Sequence, residues 1–298
     1  MLSLRERMPF HFVKLRKIWY LISAVLIIPG LIFFCSQGLQ LGIDFTGGNL
    51  LDLRFSKAAS VEQVREVLGT MGLADSSIQQ SGETDFLIRT GVLSEADNAN
   101  LVQSLKNQFG EITVLRNELV GPVIGRELVY KALWALAVAA VLMIIYISWR
   151  FEFKQGIAAV FSVLHNVFFV LGIFAIFRLE VDSSFIAAIL TIIGYSINDT
   201  IVIFDRIREN MLYKKKGEEL EDTINASLWQ TLARSINTGL CVIMVLVAML
   251  FFGGTTIHNM VLALLLGISC GAYTSIFIAS TLWYELKRLE KRPKTVRA

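Results

Sequence analysis

The stretch Ile193–Asn210, IGYSINDTIVIFDRIREN, sets the triplet Asn198-Asp199-Thr200 inside a run that is apolar on both sides. That run, about 183–205, is long enough to cross a hydrocarbon core as a helix, which takes roughly 20 residues. A carboxylate at the bilayer centre costs about 2.5–3.5 kcal/mol, and less toward the surface. Asp199 lies roughly 24 Å along such a helix from Ser183, in the far half of a core about 30 Å thick. Residues of this kind face a bundle interior or a water-filled cavity. Tyr195 and Ser196 precede it by about one turn and extend a polar stripe. Asp205 falls on another face, beside Arg206 and Arg208, as an interfacial residue.

The rest of the chain fits the same environment. Of its 298 residues 54% are hydrophobic and 18% charged, with a mean hydropathy of +0.59. Soluble domains run to about 45–50% apolar and about 25% charged, so a polytopic membrane protein is the better class. Five more segments are apolar enough to span: about 18–37, 132–149, 155–177, 235–252 and 259–284. Residues 128–286 thus form a five-helix membrane domain after the first span, with a charged connecting loop at 206–234.

Lys and Arg at the span ends give the orientation. Arg5, Arg7, Lys14, Arg16 and Lys17 lie in the 1–17 segment, and Arg206, Arg208, Lys214, Lys215 and Lys216 follow the fourth span. Lys287, Arg288, Lys291, Arg292, Lys294 and Arg297 fill the 287–298 tail, while the 253–258 turn has neither Lys nor Arg. Both termini are expected in the cytoplasm, and the polar 38–127 stretch outside the membrane. The first span lacks a small-residue cleavage site and is expected to stay as an anchor.

Within 38–127, NLLDLRF alternates as a strand and SVEQVREVLGTMG has helical period, with Ser60 as its N-cap. SIQQS and TDFLIRT read as two strands about Gly82, and SEADNANLVQSLKNQFG as a helix capped by Ser94 and Gly110. ITVLRNELV closes the set. The order β-α-β-β-α-β predicts a ferredoxin-like α+β domain.

Two roles fit Asp199. It is either a permanent polar clamp or a group that takes up and releases an ion. Arg234 opens the fifth span at matching depth, beside Asn237 and Thr238; it either partners Asp199 or snorkels to the surface. His165-Asn166 in the third span is either a helix–helix hydrogen-bonding pair or a part of the ion route. Gly267 and Gly271 form a small-xxx-small packing face. Gly42, Asp44, Gly47 and Gly48 in LGIDFTGGNLLDL give a bent backbone ahead of a strand. That pattern lacks the Gly-Lys-Ser/Thr of a phosphate loop. Cys35, Cys241 and Cys270 lie far apart in apolar runs, without metal-ligand spacing. No nucleophile–base constellation, cofactor motif or nucleic-acid signature is present, so an enzyme is not expected.

GIDFTGG, VGPVIGREL (120–128), YSINDTIVIFDRIREN and FGGTTIHNMVLALLLGISCGAYTSIFIASTLWYEL (252–286) together resemble the SecF group of bacterial SecD/SecF protein-export membrane proteins, of the resistance-nodulation-division superfamily. The resemblance covers nearly the whole chain, and the length is that of a separate SecF subunit rather than a fused SecDF chain. It implies a subunit that works with SecD beside the SecYEG channel and uses a proton or sodium gradient to draw preproteins outward, without cofactor or metal. It further implies that Asp199 and Arg234 are the ion-relay pair, supported by Asn198, Thr200, Ser196, His165, Asn166, Asn237 and Thr238. Where the family commonly has His-Asp, this chain has His165-Asn166, which puts a carboxylate role there in doubt. A scaffold subunit without its own relay and a small-molecule exporter subunit are the alternatives.

Overall fold

A computed structural model describes residues 10–150, 152–214 and 216–290. Arg5, Arg7, Lys215 and the tail from Lys291 onward, used above for orientation, lie outside the described residues. Two compact units emerge, one of residues 41–135 with 180–183 and one of 1–40, 136–179 and 184–298.

The smaller unit is the α+β domain. Its elements are β1 (Gln40–Leu41, at its border), α2 (Ile43–Thr46), β2 (Gly48–Phe55), α3 (Val61–Thr70), β3 (Ser77–Ser81), β4 (Asp85–Thr90), α4 (Glu95–Phe109) and β5 (Ile112–Val120). The sheet order is β3-β4-β2-β5, antiparallel throughout. With β2, β3, β4 and β5 as the four strands of the β-α-β-β-α-β unit, that is the ferredoxin-like order expected from the sequence. Ser60 makes a capping box with Gln63, Ser94 accepts from the Asp97 N–H, and Gly110 ends α4 at φ 86°. Leu51, Leu53, Phe55, Phe86 and Ile88 of the sheet meet Val64, Leu68, Leu101 and Leu105 of the helices in one apolar core.

The glycines of the GIDFTGG stretch have separate causes. Gly47 and Gly48 sit at φ 77° and 140°, where a side chain is strained. A Cβ on Gly48 would also lie 2.4 Å from the Thr90 carbonyl oxygen, and one on Gly42 would lie 2.6 Å from a Glu180 carboxylate oxygen. Gly42 N–H donates to the Val181 carbonyl at 2.8 Å, in the short strand β6 (Glu180–Val181). Asp44 accepts from the Ser183 N–H at 2.8 Å, and Glu180 pairs with Arg89 of β4. The motif is a knot of backbone that ties the 180–183 turn to the base of the sheet.

The larger unit is a bundle. Its helices are α1 (Arg16–Gln37), α5 (Pro122–Arg150, entering from the smaller unit), α6 (Phe153–Ile176), α7 (Ser183–Leu212), α8 (Leu220–Phe252), α9 (Thr255–Thr274) and α10 (Ser280–Glu290). A π turn, Ser275–Ala279, makes α9 and α10 one continuous span. Among the described residues, six helices are then long and apolar enough to cross a membrane, and the chain is a multi-pass membrane protein. In α6, α7 and α9–α10 about half of the apolar window is buried, whereas α5 has none of it buried and α1 and α8 little.

One expectation needs correction. The 206–234 segment is not a loop: α7 continues to Leu212 and α8 starts at Leu220. Hydropathy marks contact with lipid, not the end of a helix. The first turns of α8 bury Ile224, Asn225, Ser227 and Leu228, against the segment that precedes α1. There Phe12 and Val13 are buried. The Phe12 N–H donates to Asn225 Oδ1 at 2.9 Å, and Trp229 Nε1 donates to the Phe10 carbonyl at 3.0 Å. Phe12, Trp19, Trp229 and Phe277 pack ring to ring around this strap.

Candidate functional site

Asp199 is half-buried on α7. Its Oδ1 accepts from Ser235 Oγ of α8 at 2.6 Å, and its Oδ2 is buried with no hydrogen-bond partner among the described residues. Arg234 is exposed and close enough to act on Asp199 through space. Among the described residues, however, the two form no ion pair within 4 Å. The lone pairs of a carboxylate oxygen can take up a proton or accept a further hydrogen bond.

Helical geometry splits the expected polar stripe into two. Ser196 and Thr200 point to α6 and the α9–α10 span, while Asp199 faces α8. Asn166 Nδ2 donates to Ser196 Oγ at 2.7 Å, and Thr274 Oγ1 donates to Asn166 Oδ1 at 2.8 Å. Thr200 Oγ1 and Ser275 Oγ are 2.9 Å apart, and Ser275 Oγ also reaches the Ser196 carbonyl. Ser275 opens the π turn, and the extra residue in that turn aims its hydroxyl at α7; such turns recur at functional sites. Asn166 both donates and accepts here. An aspartate could only accept, so the amide suits a closed network of neutral partners.

That network carries a direct expectation. Asn166→Leu leaves Ser196 and Thr274 without their partner inside the bundle. Interhelical hydrogen bonds in membranes are worth about 0.6 kcal/mol each and at most about 1.7. Losing two should destabilise the chain by about 1–2 kcal/mol, visible as a lower thermal midpoint in detergent. An unchanged midpoint would mean that the two hydroxyls find other partners.

The remaining expected positions divide. Asn198, Asn237 and Thr238 are exposed on α7 and α8. His165 is buried, with Nδ1 3.9 Å from Cys270 Sγ, and does not touch Asp199. Gly267 lets Ile192 approach, since a Cβ there would lie 2.3 Å from its Cδ1, and Gly271 backs onto Asn166 and Ser196. Two helix backbones meet closely elsewhere. A Cβ on Gly30 of α1 would lie 2.6 Å from Gly172 Cα of α6. That contact joins single glycines on different helices and leaves no pattern along either sequence. Thr274 and Ser275 carry no signal along their own helix, because their partners lie on α6 and α7.

Known proteins share this architecture. The family model "Protein export membrane protein SecD/SecF, C-terminal" matches residues 100–289, and the "SecD/SecF GG Motif" model matches 32–59. The protein translocase subunit SecF of Acidaminococcus fermentans is 43% identical over 291 residues, covering 95% of this chain and 99% of its own. The protein translocase subunit SecDF of Bacillus subtilis is 40% identical over 94% of this chain, which spans 38% of that longer protein. The crystal structure of SecDF from Thermus thermophilus, described as a translocon-associated membrane protein, superposes with a TM-score of 0.88 at 33% identity. It covers 97% of this chain, which spans 40% of the SecDF chain.

Proposed function

Because the chain belongs to the SecF group of the SecD/SecF protein-export family, we propose that it is an auxiliary subunit of Sec-dependent export that couples an ion gradient to preprotein movement through Asp199. The observation that carries this is a carboxylate inside a span, with one hydroxyl donor, a buried Oδ2 that has no hydrogen-bond partner among the described residues and Arg234 near enough to act on it. An ion entering the site neutralises Asp199. When it leaves, the negative charge draws Arg234 inward. Alternation between the two would shift α7 against α8 at Ser235. One charge crossing about 100 mV is worth about 2.3 kcal/mol, enough to bias such a rocking motion.

SecD is the natural partner. The fused SecDF proteins hold this architecture as about two fifths of one chain, and the rest would supply the matching half of the ion path. The Lys and Arg distribution supports cytoplasmic termini and an external α+β domain, where it would meet a preprotein leaving the SecYEG channel. A fixed clamp at Asp199 and Ser235, in a scaffold subunit, is the second role that the short hydrogen bond favours.

Export into vesicles decides whether the chain couples at all. Vesicles with SecYEG, SecD and this chain should speed preprotein translocation when a proton or sodium gradient is imposed, and an ionophore should cancel the gain. Vesicles without the chain should show no gain. An equal gain in its absence would sink the coupling role, and transport of a small molecule without preprotein would favour an exporter.

A further inference from the structure

A cavity of about 630 Å³ opens where α5 ends, α7 runs out and α8 passes. Arg150, Arg206, Arg208 and Arg234 line it with Asp205 and Glu209, a net charge of +2. Arg206 is committed: it donates to Glu209 at 2.6 Å and to Gln230 Oε1 at 2.5 Å. Arg150 lies 4.0 Å from Asp205, and Arg208 donates to the Arg150 carbonyl at 3.5 Å. Four guanidinium groups thus face two carboxylates across one space.

Its depth selects a ligand. Asp205–Leu212 lie about 33–44 Å along α7 from Ser183, past a core of about 30 Å and at the level of lipid headgroups. Trp149 and Tyr213 stand exposed at the same end, as aromatic residues do at a membrane interface. Ile145 of α5 and Ile236 and Leu240 of α8 are exposed apolar residues one to two turns deeper, where acyl chains would lie.

We propose that this cavity binds the phosphate-bearing headgroup of an anionic phospholipid. Guanidinium forks match phosphate oxygens in bidentate pairs, and basic pockets between membrane helices at this depth take anionic headgroups. The volume falls within the about 300–1,000 Å³ of small-molecule sites. Free phosphate shares the charge but has no use for the apolar wall below. The site does not depend on an ion relay at Asp199; Arg234 borders both, so the test spares it.

The purified full chain, in detergent with phosphatidylglycerol or phosphatidylcholine added, is examined by native mass spectrometry. It should retain phosphatidylglycerol in preference. Arg150→Gln with Arg208→Gln should cut that preference about thirtyfold, since each charge near a membrane surface is worth roughly fivefold. Arg150→Lys with Arg208→Lys, which keeps the charges, should retain most of it and confirms a folded chain by its thermal midpoint. Lys17→Gln, an exposed cation on α1, should change nothing. Equal retention of both lipids, or equal loss in Lys17→Gln, overturns the site. Displacement of the lipid by inorganic phosphate alone overturns the lipid assignment, as does loss of the bound lipid on adding SecD, which would make the groove a protein-docking surface.

Discussion

Asp199→Asn is expected to bring the ratio of export with and without an ion gradient to about one, while gradient-independent export continues. The substitution isolates titration from shape. Asn keeps an oxygen to accept from Ser235 Oγ, the donor at 2.6 Å, and its amide nitrogen replaces the oxygen that has no partner among the described residues. A neutral amide is also cheaper than a carboxylate in the bilayer, which costs about 2.5–3.5 kcal/mol at its centre. The variant should therefore assemble normally, and misfolding would not explain its loss. The ceiling of the effect is set by the driving force: about 2.3 kcal/mol per charge per 100 mV is about fiftyfold in rate. Asp199→Glu keeps a titratable group on a longer arm and should retain part of the coupling. Full gradient dependence in Asp199→Asn would make this residue a clamp and move the coupling site elsewhere.

Gly30→Leu should be the most damaging change away from the carboxylate. A Cβ there would lie 2.6 Å from Gly172 Cα and 3.2 Å from its carbonyl carbon, against the about 3.5–4.0 Å at which carbons pack. The obstacle is backbone, which cannot rotate aside as a side chain can. Helices α1 and α6 would have to separate by about 1 Å along their crossing. Overpacking of this kind costs about 1–3 kcal/mol and occasionally more, and α1 has few other buried residues to hold it, Ser23 among them. The expected result is a sharp fall in folded yield and thermal midpoint in detergent, with Gly30→Ala intermediate. Gly194→Ala on α7, which meets nothing within 4 Å, is the control and should be neutral. Equal midpoints for Gly30→Leu and Gly194→Ala would show that α1 does not rest on α6 through these glycines.

Much of the architecture was legible because lipid imposes a long apolar period that few other structures need. The alternating strands and capped helices of the α+β domain were readable for a similar reason: NLLDLRF has period 2, and Ser60 and Ser94 stand where helices need an acceptor. Asp199 was legible as an anomaly, a charge in a span. Its donor Ser235 was visible only as one polar group among several, since the bond depends on how α7 and α8 rotate against each other. Separation of Ser196 from Asp199 has the same origin: residues three apart on a helix differ by about 60° in direction, enough to face different neighbours. The Gly30–Gly172 crossing and the π turn after Thr274 arise from contacts between distant segments, which leave no periodic trace in either.

The strap before α1 bears on how the protein is made. Its bond from Phe12 to Asn225 joins residues 213 apart in sequence, and Phe277, against which Phe12 and Trp19 pack, comes later still. At about 5–20 residues per second of synthesis, the strap waits roughly 10–40 s before Asn225 exists. During that interval Phe12 and Trp19 lack the rings of Trp229 and Phe277 that pack against them. A segment made early is thus locked by segments made much later, so a chain interrupted between them keeps an open aromatic strap that quality-control proteases can recognise. Closure of the bundle waits for synthesis to pass Phe277.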